Sequence, residues 1–329
     1  MRHRRFILIL CFLLFCFLLT GCTVSGFTPR DALSTPLAGS SVPAAADSLY
    51  RVQAEPVALY FRYYDEPYLA CEWRTISRTQ SQSYEQALLD ALVAGPSGSI
   101  PELTPLFPPG TRVLSTTVNG HMLYVTLSRE IMDTYMDEPA DWQEYDAWFR
   151  ESPLRRRLCM QSIVATITEN CDIDQVQILV EQTDSISGSL RLRQNYFLDD
   201  SEDSVLAGPM VRDSSLLLGV DNSISYILQL FSEHNWASLY RFLASSDGQR
   251  PEYEEAVRRL EALPSPVQFS VSPATLSLDG QRATLQVHTA AAGSSLSSGG
   301  RNRIIHLNRE NGFWRIALAQ LEHLMEVSP

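Results

Sequence analysis

Lysine is absent from the 329-residue chain, and all 26 basic residues are arginine, which reads as genomic base composition rather than as a demand for bidentate pairing. The absence excludes the phosphate-binding P-loop, whose lysine must reach the phosphates, and serine enzymes of the S-x-x-K type. A G-x-S-x-G elbow is missing too. Histidine is scarce: beyond the N-terminus it stands only at His121, His234, His288, His306 and His323, singly, with no i, i+4 pair flanking an acid as a zinc protease requires. His288 and His306 fall in predicted strands, where they face each other or a cavity. The 38 acidic residues bring the formal net charge to −12, which makes nucleic acid and anionic lipid surfaces poor partners.

Long apolar runs are lacking except for one, Phe6 to Leu19. At about 14 residues it is short of the roughly 20 that span a bilayer. It follows Arg2, Arg4 and Arg5 and ends at Leu19-Thr20-Gly21-Cys22, the shape of a bacterial lipobox. Residues 1–21 therefore read as a lipoprotein signal peptide and Cys22 as the lipidated first residue of the mature chain. That places the protein on the outer face of the cytoplasmic membrane, with the membrane as a partner through Cys22. Three cysteines remain, Cys71, Cys159 and Cys171, an odd number that cannot all pair. Cys159 and Cys171 sit about 18 Å apart along one predicted helix, too far to bridge, and Cys71 could meet either of them. Small buried thiols are the simpler reading, and no spacing suits a metal or implies a cofactor.

Residues 22–55 are rich in Ser, Thr, Pro, Ala and Gly and read as a flexible tether. Two modest domains follow. In the first, residues 56–198, strands Val57 to Tyr64 and Leu69 to Ser77 precede a helix from Tyr84 to Ala94. Ser83 and Gln86 suit a capping box there, and Gly95-Pro96 ends the helix. Asn119-Gly120 predicts a two-residue type I′ hairpin, with Leu123, Val125 and Leu127 on one face of its second strand. A helix presenting Met160, Ile163, Val164 and Ile167, then a strand from Gln175 to Val180, complete the order ββαββαβ. The expected fold is α+β, two helices on one face of a small sheet.

The run PLFPPGTRVLSTTVNGHMLYVTLS, Pro105 to Ser128, together with the helix before it and SIVATITENCDIDQVQILV after it, resembles the GerMN domain of sporulation and germination lipoproteins. The resemblance spans roughly Pro56 to Leu198. It implies a compact module similar to the ring-building motifs of secretion-type assemblies, and a role in sporulation or germination within an envelope protein complex.

Residues 199–221 are acidic and irregular and read as a linker. In residues 222–329, apolar stripes at Ile224, Ile227, Leu228 and Phe231, at Trp236, Leu239, Tyr240 and Leu243, and at Tyr253, Ala256, Val257 and Leu260 predict helices. Val267, Phe269 and Val271, the turns at Asp279-Gly280 and Asn311-Gly312, and the alternation of Trp314, Ile316 and Leu318 predict an antiparallel sheet. Helices first and a meander afterwards resembles the NTF2-like cone fold.

No catalytic residue is identified. Asp133, Asp137, Glu138, Asp141, Glu144 and Asp146 crowd one stretch, but a wall hydrolase would need two acids at a fixed separation. Aromatic interleaving distinguishes this stretch: Trp142, Tyr145, Trp148 and Phe149 form a candidate partner-binding surface, or, given the i, i+3, i+7 spacing of Trp142, Tyr145 and Phe149, a short helix docked on its own domain. Phe231, Trp236, Tyr240, Phe269 and Trp314 either line a ligand pocket or fill a core. The expected function is non-catalytic assembly at the membrane surface, with the binding of a small molecule or cell-wall fragment as the alternative.

Overall fold

From Val57 onward the strand β1 (Gln53–Tyr63) is buried on both faces, with Val57, Ala58, Leu59 and Phe61 fully inaccessible, so that part reads as a continuous apolar run rather than an alternating one. It begins inside the stretch expected as tether. The computed structural model describes residues 53–79, 81–182, 188–197, 205–245, 250–264, 268–290 and 301–325. The leader, Cys22 and most of the tether lie outside the described residues. Asp47–Pro329 form one compact unit.

β1 pairs antiparallel with β2 (Leu69–Arg78) from Gln53↔Arg78 to Arg62↔Leu69. The helix α1 (Tyr84–Val93) buries Ala87, Leu88, Leu89 and Leu92. Only half of its expected capping box forms. Ser83 Oγ accepts from the Gln86 amide at 3.1 Å, but the Gln86 side chain donates to Asp90 and to the Val113 carbonyl instead of returning to Ser83. The two-residue strand β3 (Leu103–Thr104) pairs with β1 only at Arg62 and Tyr63.

The next strands, β4 (Val113–Asn119) and β5 (Met122–Leu127), form the expected hairpin, and Leu123, Val125 and Leu127 are fully buried. Its turn differs from expectation. Asn119 pairs with Met122, so the loop residues are Gly120 and His121, and only Gly120 has positive φ, at 61°. That is the pattern of a type II′ turn with glycine first. The long helix α2 (Asp146–Asn170) then crosses over to β6 (Gln175–Glu181), which lies parallel to β5; a parallel pair demands such a crossover. The strand β7 (Ser189–Arg191) closes this sheet.

The fold class is the expected α+β, but the strands divide into two sheets, β2-β1-β3 and β4-β5-β6-β7, rather than one. The reason is α2. It packs on both β1 and β6, and its Thr166 and Asn170 side chains bond the backbone edge of β1 that another strand would otherwise occupy.

The C-terminal half opens with helices α3 (Val220–Ser232), α4 (Trp236–Arg241) and α5 (Tyr253–Glu261). An antiparallel sheet follows, made of β8 (Gln268–Val271), β9 (Thr275–Leu276), β10 (Arg282–Ala290), β11 (Arg301–Glu310) and β12 (Phe313–Ile316), in the order β12-β11-β10-β8 with β9 also on β10. Asn311 and Gly312, both at positive φ, make the two-residue type I′ turn between β11 and β12. The expected final strand stops at Ile316. Leu318 instead opens the helix α6 (Leu318–Met325), because Leu318, Leu321, Leu324 and Met325 keep helical spacing and bury one face.

The two halves share a core. The Tyr63 ring packs on Phe242 and Phe313, with centroids 5.2 and 5.0 Å away. Buried Glu66, in the β1–β2 turn, accepts from Tyr226 Oη at 2.6 Å and Arg241 at 2.7 Å, and buried Glu102 pairs with Arg315 at 2.9 Å. Of the stretch expected as a linker, the described residues 205–221 bond along the first half: Met210 bridges to Val176, and the Leu218 amide donates to the Leu69 carbonyl. Cys71, Cys159 and Cys171 are free thiols.

Candidate docking groove

The run Pro105–Thr111 folds as a tight loop fixed by its own backbone chemistry. Thr111 donates through its amide and its hydroxyl to the Pro108 carbonyl, and Gly110 takes φ 87°. Leu106 is buried beneath. Beside the loop, Tyr64 occupies the left-handed region at φ 49°, a conformation a tyrosine adopts only when its surroundings impose it. Its amide donates to the Glu102 carbonyl at 2.7 Å. A groove of about 300 Å³ opens between this loop, Tyr64, and Tyr135, Met136 and Arg155.

The acidic, aromatic stretch that forms the second wall is organised by consecutive arginines of α2. Neighbouring helix residues project about 100° apart, so Arg155 and Arg156 reach different surfaces. Arg155 takes Asp137 in a bidentate pair at 2.7 and 3.0 Å and lies over the rings of Tyr135 and Trp148. Arg156 takes buried Glu138 at 2.8 Å and lies over Trp142 and Tyr196. Arg157 takes Asp213 at 3.0 Å. Hydrogen bonds from Arg155 hold the Asp137 carboxyl below its ordinary range, while burial pushes the Tyr135 hydroxyl well above its own. On the groove floor, buried Arg62 donates to the Glu66 carbonyl and pairs with Glu151.

Of the candidate partner-binding residues, Trp142 and Trp148 are half-buried against Arg156 and Arg155. Tyr145 is 50% and Phe149 51% exposed, and they are joined by the Phe149 amide donating to the Tyr145 carbonyl. Met136, at the groove, is 90% exposed. These residues do not form one amphipathic helix: Trp142 lies in a separate 3-10 turn, Trp142–Glu144, ahead of α2. Of the groove residues, Tyr64, Arg155 and Met136 were not singled out by sequence reasoning, and Phe107 stood out only as part of the Pro105–Ser128 run. For Arg155 and Met136 the signal was the triple arginine facing an acidic stretch of similar spacing.

The aromatic set of the C-terminal half is not gathered around one cavity. Phe231 is buried and meets Trp236 edge-on at 5.4 Å. Tyr240 packs on Tyr253 and Arg250. Phe269 borders a shallow depression beside Asp221, and Trp314 belongs to a different cavity. His288 stands opposite Asn302, and His306 opposite Thr284, so the two histidines do not meet. Among the described residues no His, Cys, Asp and Glu cluster could hold a metal, and no helix is long and apolar enough to cross a membrane.

Residues 58–185 match the family model Germane, described as sporulation and spore germination. These residues, under half of the chain, are similar to a Germane domain. The matched stretch includes β1 from Ala58 onward, the Pro105–Thr111 loop, the whole groove and α2. Among solved structures, the tandem GerMN domains of the sporulation protein GerM from Bacillus subtilis are 16% identical over 54% of this chain and 51% of that one, with a TM-score of 0.33. The chain thus spans about half the length of that tandem structure. The first GerMN domain of the same protein is 17% identical over 48% of this chain and 96% of that one, with a TM-score of 0.26. A protein from Clostridium perfringens, provisionally designated a lipoprotein, is 25% identical over 41% of this chain and 79% of that one, with a TM-score of 0.24. No curated protein matches the chain.

Proposed function

We propose that the protein is a non-catalytic assembly factor of sporulation or germination, anchored by lipid on Cys22 at the outer face of the cytoplasmic membrane, and that it docks an envelope protein through the groove of its Germane domain. The observation that carries this reading is the groove itself: the Pro105–Thr111 loop and the arginine-pinned acidic stretch, far apart in sequence, make one partly apolar recess with Met136 exposed at its edge. Exposed apolar and aromatic side chains beside a preformed recess, rimmed by charge, match the composition of interface centres. The lipobox at Cys22 supports the location. In this reading the C-terminal half, helices followed by an antiparallel sheet, is an NTF2-like domain that braces the Germane domain.

The test is crosslinking and affinity capture from membranes of the native organism, comparing the wild type with a variant carrying Met136→Glu and Phe149→Glu. An envelope protein recovered by the wild type and lost by a stably folded variant supports the docking surface. Equal recovery by both sinks it. Radiolabelled fatty acid incorporation that survives Cys22→Ser would remove the anchor from the proposal.

A further inference from the structure

A second cavity, of about 560 Å³, lies where β2, the segment leading into α3 and the β11–β12 hairpin meet. Its volume is in the range of small-molecule sites, about 300–1,000 Å³. Trp314 and Leu218 give it apolar wall, and Arg212 and Arg309 give it two cations from different halves of the chain.

The two arginines differ in how their charge is met. Arg212 is paired with Glu169, donates to Tyr60 Oη at 2.8 Å and lies over the Tyr60 ring. Arg309 has no carboxylate partner among the described residues. Its Nε donates to the Gly312 carbonyl at 3.3 Å, and its guanidinium carbon stands 5.8 Å from the Trp314 ring centroid, across the strand pair Arg309↔Trp314. These two contacts fix the plane of a half-buried guanidinium and engage only one of its nitrogens. In a chain with 38 acidic residues and 26 arginines, most partly buried arginines described here have found an acid. A planar fork, oriented and left without a counter-charge at a cavity wall, is the geometry that receives an oxyanion through two parallel hydrogen bonds.

We infer that this junction cavity binds a small molecule bearing a single oxyanion, carboxylate or phosphate, on a partly apolar body, with Arg309 as the receptor for the anion. Asp221, exposed at the rim, disfavours polyanions and so points to one anionic group rather than several. The remaining candidate for chemistry in the wall is Cys71. Burial, with the Glu169 charge adding to it, pushes its thiol up to about 12, which disfavours the reactive thiolate. Because the lining comes from β2 on one side and the β11–β12 hairpin on the other, occupancy stabilises the junction between the two halves.

The full chain, purified in detergent, is titrated calorimetrically with N-acetyl-alanyl-alanine and its C-terminal amide as one arm, and with glycerol 3-phosphate and glycerol as the other. Saturable binding of one acid is expected, at least about tenfold tighter than its neutral counterpart; the arm that binds tells carboxylate from phosphate. Arg309→Gln should weaken that binding about tenfold or more, and Arg309→Lys, which keeps the charge and loses the fork, should recover only part. The proposal is overturned if neither acid saturates by about 10 mM, a limit already weaker than most specific ligands, or if acid and neutral probe bind equally to the wild type. It is overturned equally if Arg309→Gln binds as the wild type does. The comparison of acid with neutral probe decides the matter even if the variant fails to fold.

Discussion

Asn170, at the end of α2, closes the open edge of β1 against Ala58: its side chain accepts from the Ala58 amide at 3.0 Å and donates to the Ala58 carbonyl at 2.8 Å. One turn earlier, Thr166 Oγ1 accepts from the Tyr60 amide at 3.2 Å. Four helical residues rise about 6 Å and two strand residues about 6.8 Å, so one face of a helix can read every second residue of a strand edge.

Removing these side chains should therefore cost more than their size suggests. Asn170→Ala leaves a backbone donor and acceptor without partners, at about 2 kcal/mol after its better helix propensity is allowed for. Thr166→Val, nearly isosteric at a fully buried site, should cost about 1–3 kcal/mol by stranding the Tyr60 amide, whereas Thr166→Ser should be closer to neutral. Urea denaturation midpoints check all three, and a Thr166→Val protein as stable as the wild type would show that the edge is satisfied another way.

The ion pair between Arg315 and Glu102 joins the two halves with both side chains nearly inaccessible, at 6% and 9% exposure. A buried pair contributes little net stability, yet breaking one leaves an uncompensated charge. Arg315→Met should destabilise by about 3–5 kcal/mol, and adding Glu102→Leu should return a large part of that loss. The measurement is a double-mutant cycle in denaturant, with limited proteolysis to see whether the halves separate before they unfold.

Local signals carried the fold well where side-chain period alone decides. Leu123, Val125 and Leu127, and Met160, Ile163, Val164 and Ile167, are buried as their spacing requires. Tertiary pairings were not legible. Nothing local says that Asn170 faces Ala58, and this is what splits one expected sheet into two. Nor does the dipeptide Asn-Gly fix its own turn. At Asn311-Gly312 both residues form the loop, while at Asn119-Gly120 the asparagine stays in the strand, because the pairing of Asn119 with Met122 is set by the alternation of β5. Leu318 looked like a strand position since two matches of a period-2 pattern precede it, and only the later Leu321 and Leu324 reveal the helix. In the groove, the aromatic stretch and the Pro105–Thr111 run were both visible, but nothing local placed one opposite the other.

The pinned and the free aromatics of the acidic stretch should separate cleanly by stability. Tyr145→Ala and Phe149→Ala, at half-exposed positions, should change unfolding free energy by no more than about 0.5–1 kcal/mol. Arg156→Met removes the partner of buried Glu138 and the platform under Trp142, and should cost about 3 kcal/mol or more. Equal thermal midpoints for all three proteins would mean that the stretch is not organised by the helix arginines.

Thiol chemistry gives the pH prediction. Burial is the first cause that pushes both Cys71 and Cys171 up to about 12 from an ordinary value near 9, and fully buried Cys159 is pushed higher still by the same cause. A rise of about three units lowers the thiolate fraction near pH 8 by roughly a thousandfold, and the thiolate is the reacting form. Iodoacetamide at pH 8 should thus label the native protein orders of magnitude more slowly than the same chain in urea, with Cys159 last. The sign for stability follows. A folded-state pKa above the unfolded one means that the folded state holds its proton more tightly, so this contribution is fully present below about pH 9 and is lost as pH rises from there through 12. Stability measured from pH 7 to 8.5 should be flat with respect to these groups, and then decline less steeply in a Cys71→Ala, Cys171→Ala variant than in the wild type. Identical alkaline slopes would show that the thiols ionise normally in the folded protein.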